Sequence, residues 1–236
     1  MGRQSQKKRA NDRNDKEMQN KHVKADHYHA VVDKHWRSEG SPVFATGGPK
    51  IRTSTMRAYE VTHKPVAESS QPMPAEIASQ YQDLVELAQL ATPAAVARLE
   101  MLAERHPDVA VLNNLLAAAY SRQGRMKDAF LMVEKNYQQS PEYLFARVQY
   151  AQLCLLAGKF EAVPRIFDNH FDLKLLYPHR TKYHISEFAA FAAVVGEYHL
   201  LKGDRKAAES YCSTLEHVAP DHELTARLQQ LMGDGE

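Results

Sequence analysis

Apolar residues fall into helical register from Ala75 onward and into almost none before it. Ile77, Tyr81, Leu84, Leu87, Ala88 and Ala91 recur every three or four residues, the spacing that lines one face of an α-helix. Thr92-Pro93 predicts the next helix start, with Thr92 as N-cap and Pro93 at the first helical position, where its missing N–H is no loss. Ala97, Leu99, Leu102 and Ala103 carry that helix to His106-Pro107, and near the other end Leu224 to Leu231 predicts a short helix before Gly233. Upstream the pattern fails. Residues 1–20 are almost wholly polar and cannot offset the entropy of ordering. Val23, Ala30, Val31, Val32 and Trp36 predict at most a short helix over 21–38. Residues 41–74 are punctuated by Pro42, Gly47-Gly48-Pro49, Pro65, Pro72 and Pro74, and the weak alternation from Ile51 to Val61 predicts a strand only against a partner. Residues 1–74 therefore read as an arm, largely disordered in isolation.

Three glycines punctuate the helical part at matching places. Gly124 lies between Tyr120 and Ala129, Gly158 between Leu155 and Ala162, and Gly203 between Leu200 and Ala208. Gly124 and Gly158 are 34 residues apart, the period of the tetratricopeptide (TPR) repeat. The chain resembles that family over about two thirds of its length. Residues 110–143 carry Leu116, Ala117 and Tyr120 for a first helix, Gly124 for the turn, Ala129 and Val133 for a second helix, and Pro141 at the close. Residues 144–175 carry Tyr150, Ala151, Gly158 and Phe167, with Val163 where the family has alanine. Residues 189–222 carry Val195, Gly196, Gly203, Ala208 and Pro220. One period back from Pro141 lies Pro107, which makes 75–107 a degenerate first repeat with Ala95 at the packing position and no turn glycine. Asn113, Arg147 and Ala192 hold the positions of the family's tryptophan.

The resemblance implies an all-α, right-handed solenoid of helical hairpins over 75–236, with a capping helix over 223–232, behind the basic arm. Ala117, Ala151 and Gly196 would let the helices of one repeat approach, and Ala129 and Ala208 would let neighbouring repeats nest. It further implies a protein–protein interaction scaffold or adaptor that binds a partner segment in a groove lined by the first helices. The family register places Asn114 and Arg122, then Phe145, Val148, Gln152 and Leu156, then Ala193 and Glu197 along that groove. The Lys, Asn and Arg clamp of chaperone-binding members is poorly matched by Asn114, Ala118, Val148 and Gln152. The apolar middle instead suits an amphipathic or extended hydrophobic segment. Burial of Phe145, Val148 and Leu156 under neighbouring helices is the alternative.

Gly158 and Gly203 are 45 residues apart, and the extra length falls over 172–186. Insertions in such arrays map to loops on one face, often the binding face. This one carries Tyr177, His179, Arg180, Lys182 and Tyr183. Those residue types would stack on bases and neutralise phosphate, or grip a carboxylate, or simply pack their rings with their charges solvated.

Charge divides the chain where periodicity does. Residues 1–66 hold 14 Lys/Arg against 7 Asp/Glu, and the remainder holds 16 against 22. A basic arm on an acidic body suggests a second class of partner, a nucleic acid or ribosome contacted through residues 1–66. Alternatively, residues 41–66 dock in the chain's own groove until displaced. His22, His27, His29 and His35 cluster in the arm without a metal-ligand spacing pattern. No phosphate-cradling loop or nucleophile motif points to an enzyme or a cofactor. Cys154 and Cys212 lie on apolar helix faces, which suggests free buried thiols in a reducing, cytoplasmic setting. The longest apolar stretch, near residues 188–196, is too short to span a bilayer.

Overall fold

The computed structural model describes residues 59–64, 66 and 73–233, and among these it contains eleven α-helices and two short strands. Expectations for residues 1–58, the histidine cluster and most of the basic arm among them, lie outside the described residues. Strand β1 (Glu60–Thr62) comes first, then helices α1 (Ala75–Ser79), α2 (Tyr81–Leu90) and α3 (Pro93–Arg105). Next are α4 (Ala110–Arg122), α5 (Met126–Gln139) and α6 (Leu144–Leu156). A 3-10 turn (Phe160–Ala162) leads into α7 (Val163–Ile166), and α8 (Leu173–Leu176) and strand β2 (Lys182–His184) follow. Helices α9 (Ile185–Leu201), α10 (Arg205–Val218) and α11 (Glu223–Gly233) end the described chain.

The three glycines close their helices in the same way. Gly124, Gly158 and Gly203 have φ of 74°, 68° and 80°, the left-handed region that an L side chain rarely enters. Each amide donates to the carbonyl three residues back, and the next amide reaches five back: Arg125 N to Tyr120 O (2.9 Å), Lys159 N to Cys154 O (2.8 Å), Asp204 N to His199 O (2.9 Å). This cap satisfies carbonyls that the helix end would leave unpaired. The first hairpin lacks the glycine and bends instead at Ala91, which takes φ 47° and ψ 32°. Thr92 accepts from the Ala95 amide as the expected N-cap of α3.

Three buried polar side chains share one local device. Asn113 is buried and its Nδ2 donates to Pro107 O, six residues back (3.1 Å). One period later buried Arg147 donates through Nε to Pro141 O, again six back. Buried Thr225 does the same to Ala219 O (2.7 Å) at the head of α11. A side-chain donor thus fastens the chain entering α4, α6 and α11.

The second helix expected in 144–175 is cut short. Pro164 sits in the first turn of α7, which a helix start tolerates, and Asp168 and Asn169 then take φ of 51° and 61°. Arg147 spans the gap: Nη1 donates to Ile166 O (2.9 Å) and Asp168 Oδ2 (2.7 Å), and Nη2 to Glu142 Oε1 (3.1 Å). Val163 and Phe167, the first a departure from the alanine pattern, are fully buried.

The insert is folded rather than a surface loop. Asp172 caps α8 by accepting from the Lys174 and Leu175 amides. Tyr183 is completely buried and its hydroxyl donates to Leu173 O (2.8 Å). Strand β2 pairs in parallel with β1, Val61 opposite Tyr183, so the weak strand pattern of the arm finds its partner in the insert. The body therefore begins earlier than the boundary at residue 74 drawn from composition. His184 and Glu187 form a capping box that starts α9, and Glu187 also receives Arg180 (2.8 Å).

Helix α9 packs against α6, α10 and α11. Gly196 permits this, since a Cβ there would lie 2.7 Å from Leu228 Cδ2 and 3.2 Å from Tyr211 Cβ. Ala117, Ala129, Ala151 and Ala208 are buried, and Tyr120 packs its ring under Arg125 (4.2 Å) while donating to Glu100 (2.8 Å). Among the described residues no helix is long and apolar enough to cross a membrane.

Two substitutions test these devices. Ala91→Gly relieves a left-handed alanine and is expected to raise stability by about 1 kcal/mol, a melting shift of about 2–4 °C. Arg147→Met leaves buried carbonyls without donors and is expected to cost about 3 kcal/mol in denaturant unfolding, with Arg147→Lys recovering less than half because one ammonium cannot serve four acceptors.

Candidate functional site

Helices α6, α9 and α11 enclose a cleft of about 180 Å³. Val148, Gln149 and Gln152 enter from α6, Ala190, Ala193, Val194 and Glu197 from α9, and Leu224, Arg227, Leu228 and Leu231 from α11. Residues 148 and 152 are one turn apart on α6, as 193 and 197 are on α9, so each helix presents a neighbouring pair to the same space. The cleft is apolar with one polar end. There Glu197 accepts from Gln152 Nε2 (3.1 and 3.2 Å) and from Arg227 Nη2 (3.0 Å). The carboxylate is largely buried, whereas the Arg227 side chain is about half exposed. A partner that offers its own donor can therefore take the place of Arg227 at little desolvation cost. Gln149 Oε1 is shielded from solvent and has no hydrogen-bond partner among the described residues. A buried acceptor without a donor costs stability until something supplies one.

Of the residues expected along the groove, Val148, Gln152 and Glu197 meet here, together with Ala193. The others lie elsewhere. Phe145 is half-buried and meets Tyr143 edge-on (5.8 Å) beside the core of α2, α3 and α4. Asn114 is half-buried, and its Oδ1, like Oε1 of Gln149, is enclosed and unpartnered among the described residues. Arg122 is exposed and Leu156 half-buried. Residues from α11 complete the cleft, and the sequence carried a signal for them: Leu224, Leu228 and Leu231 share one face of the capping helix.

The insert residues do not form an open basic-aromatic surface. Tyr177 donates its hydroxyl to Glu142 O (2.9 Å) and lies 5.9 Å from the Arg147 guanidinium. Arg180 stacks over Tyr183 (4.2 Å) and pairs with Glu187, while Lys182 pairs with Glu60 across the strands (3.0 Å). Buried Tyr183 has no face to offer a base, and His179 alone among the five is exposed without such a contact in this cluster. Both cysteines are free and buried, and burial pushes the Cys154 thiol up to about 12, which keeps it protonated and unreactive.

On the far side of α9 lies His199, nearly enclosed, its ring stacked on Tyr211 (5.8 Å) and its Nδ1 3.5 Å from Asp204 Oδ2. Burial lowers its pKa, and the Asp204 charge opposes this without reversing it. The unfolded chain then binds this proton more readily than the folded one, so stability is lost as pH falls below about 6.5. His199→Gln is expected to flatten the fall in unfolding free energy between about pH 7 and 5, measured by urea titration at each pH.

No protein-family model, curated protein or solved structure matches the chain.

Proposed function

We propose that the chain is a TPR-like adaptor, a right-handed solenoid of helical hairpins that takes up a segment of another protein in the cleft between α6, α9 and α11. The observation that carries this reading is the meeting of Val148, Gln152, Ala193 and Glu197, from the first helices of two repeats, in one apolar cleft with a polar end. Its chemistry suits an apolar anchor side chain with an N–H donor beside it. The anchor would lie among Val148, Ala190, Leu224 and Leu231, and the donor would reach Gln149 Oε1 or Glu197. Burying one Leu or Phe side chain stabilises a complex by roughly 2 kcal/mol, too little for specific binding alone. The bound segment therefore runs beyond the cleft, and Asn114, one period before Val148, offers the next acceptor without a partner among the described residues. A cytoplasmic setting belongs to the same proposal, because two free thiols suit a reducing compartment.

Peptide-display selection on the full-length protein tests this. Enrichment of sequences with a single apolar anchor is expected, and Ala193→Trp, which fills the cleft, is expected to weaken the best binder by about tenfold or more. Lys206→Ala, exposed on α10, leaves it unchanged. Equal binding by Ala193→Trp would remove the cleft from the function.

A further inference from the structure

A second cavity, of about 320 Å³, lies on the opposite side of α9 from the peptide cleft. That volume is at the lower end of the range for small-molecule sites, about 300–1,000 Å³. Its walls are aromatic: Phe188 and Phe191 from α9, Phe171 before α8, Tyr211 from α10, and Tyr59 at the entry to β1. Two carboxylates, Asp172 and Asp204, join them, and among the described residues no lysine or arginine lines the space.

The polar groups are disposed to accept rather than donate. Tyr211 spends its hydroxyl proton on Phe171 O (2.6 Å). Asp172 Oδ1 takes the Lys174 and Leu175 amides (2.7 and 3.1 Å), and its second oxygen receives no hydrogen bond from a described residue. Asp204 Oδ1 takes the Ala207 amide (3.2 Å) and Oδ2 faces His199. Burial keeps His199 neutral, so it does not cancel the carboxylate charge. Burial first, and the Asp172 charge second, raise the Tyr59 hydroxyl to about 12 and raise Tyr211 as well, so both rings stay neutral. A small space with carboxylate charge and aromatic walls attracts cations through both the Coulomb field and the ring quadrupoles, and repels anions.

We propose that this cavity is a binding site for a compact organic cation, an amine carrying an apolar body, with Asp172 and Asp204 taking the charge and the aromatic rings taking the body. Tyr59 ties the site to the strand pair: it meets Tyr183 edge-on (5.1 Å) just before β1, so an occupant packs against the residue that leads into β1. The two spaces share no lining residue, since α9 turns Ala190, Ala193, Val194 and Glu197 to the cleft and Phe188, Phe191, Ala192 and His199 to this cavity, so an occupant of one leaves the other free.

The test uses three probes with one body on the full-length chain: 2-phenylethylamine, 2-phenylethanol and phenylacetate, followed by saturation-transfer NMR and calorimetry. The amine is expected to bind, the alcohol about tenfold more weakly, and phenylacetate not at all. Asp172→Asn keeps an N-cap for α8 but removes the charge, and is expected to weaken the amine about tenfold while leaving the alcohol unchanged. Ser210→Trp, at the exposed rim, is expected to abolish amine binding while circular dichroism stays unchanged; if that variant fails to fold, Thr214→Trp one turn on serves instead. Ala193→Trp in the peptide cleft is expected to leave the amine untouched. No amine binding at millimolar concentration, equal affinity for amine and alcohol, or amine binding that survives the rim substitution would each overturn the proposal.

Discussion

The guanidinium of Arg147 holds the middle of the helical body together. A single helical hairpin cannot bury its own apolar face and depends on a neighbour pressed against it. Between α6 and α9 that neighbour is incomplete, because α7 is a single turn that ends in two left-handed residues. Arg147 bridges the deficit by binding the carbonyls of Pro141 and Ile166 together with two carboxylates, so one side chain fixes the entry to α6 and the exit from α7. Its partners Glu142 and Asp168 are mostly solvent-exposed, which keeps their own desolvation small and leaves the carbonyl bonds as the larger structural gain.

With the regular second helix missing, the insert fills the space. Helix α8, buried Tyr183 and the β1–β2 pair cover the flank of α9, and Tyr177 lies beside Arg147. Helix α9 is consequently surrounded by α6, α10, α11 and the strands, which explains why it is apolar nearly all the way round. The two cavities follow from this central position. On one side α9 meets α6 and α11 across small residues, and on the other it meets α10 and the insert across large rings that do not close completely.

Local signals were the most legible part of the chain. A left-handed turn admits glycine far more readily than other residues, so Gly124, Gly158 and Gly203 marked three hairpins without any tertiary information. Thr92-Pro93 and the three-and-four spacing marked helices for the same local reason. The groove residues were legible only in part. Val148, Gln152 and Glu197 do meet, whereas Phe145 and Arg122 do not join them, because Phe145 packs against the core that α2, α3 and α4 share and α4, which carries Arg122, contributes nothing to the cleft.

Helix positions, turn glycines and the apolar faces were determined by the sequence itself, since each depends on residues within a turn or two of one another. Tertiary structure alone decided that the polar Arg147 would be buried, that the end of the arm would pair with the insert, and that Asp172 and Asp204 would face one aromatic cavity. The physical reason is distance along the chain. Val61 pairs with Tyr183 and Gln152 with Glu197 across gaps that no local propensity spans, and such contacts exist only after the helices between them have packed.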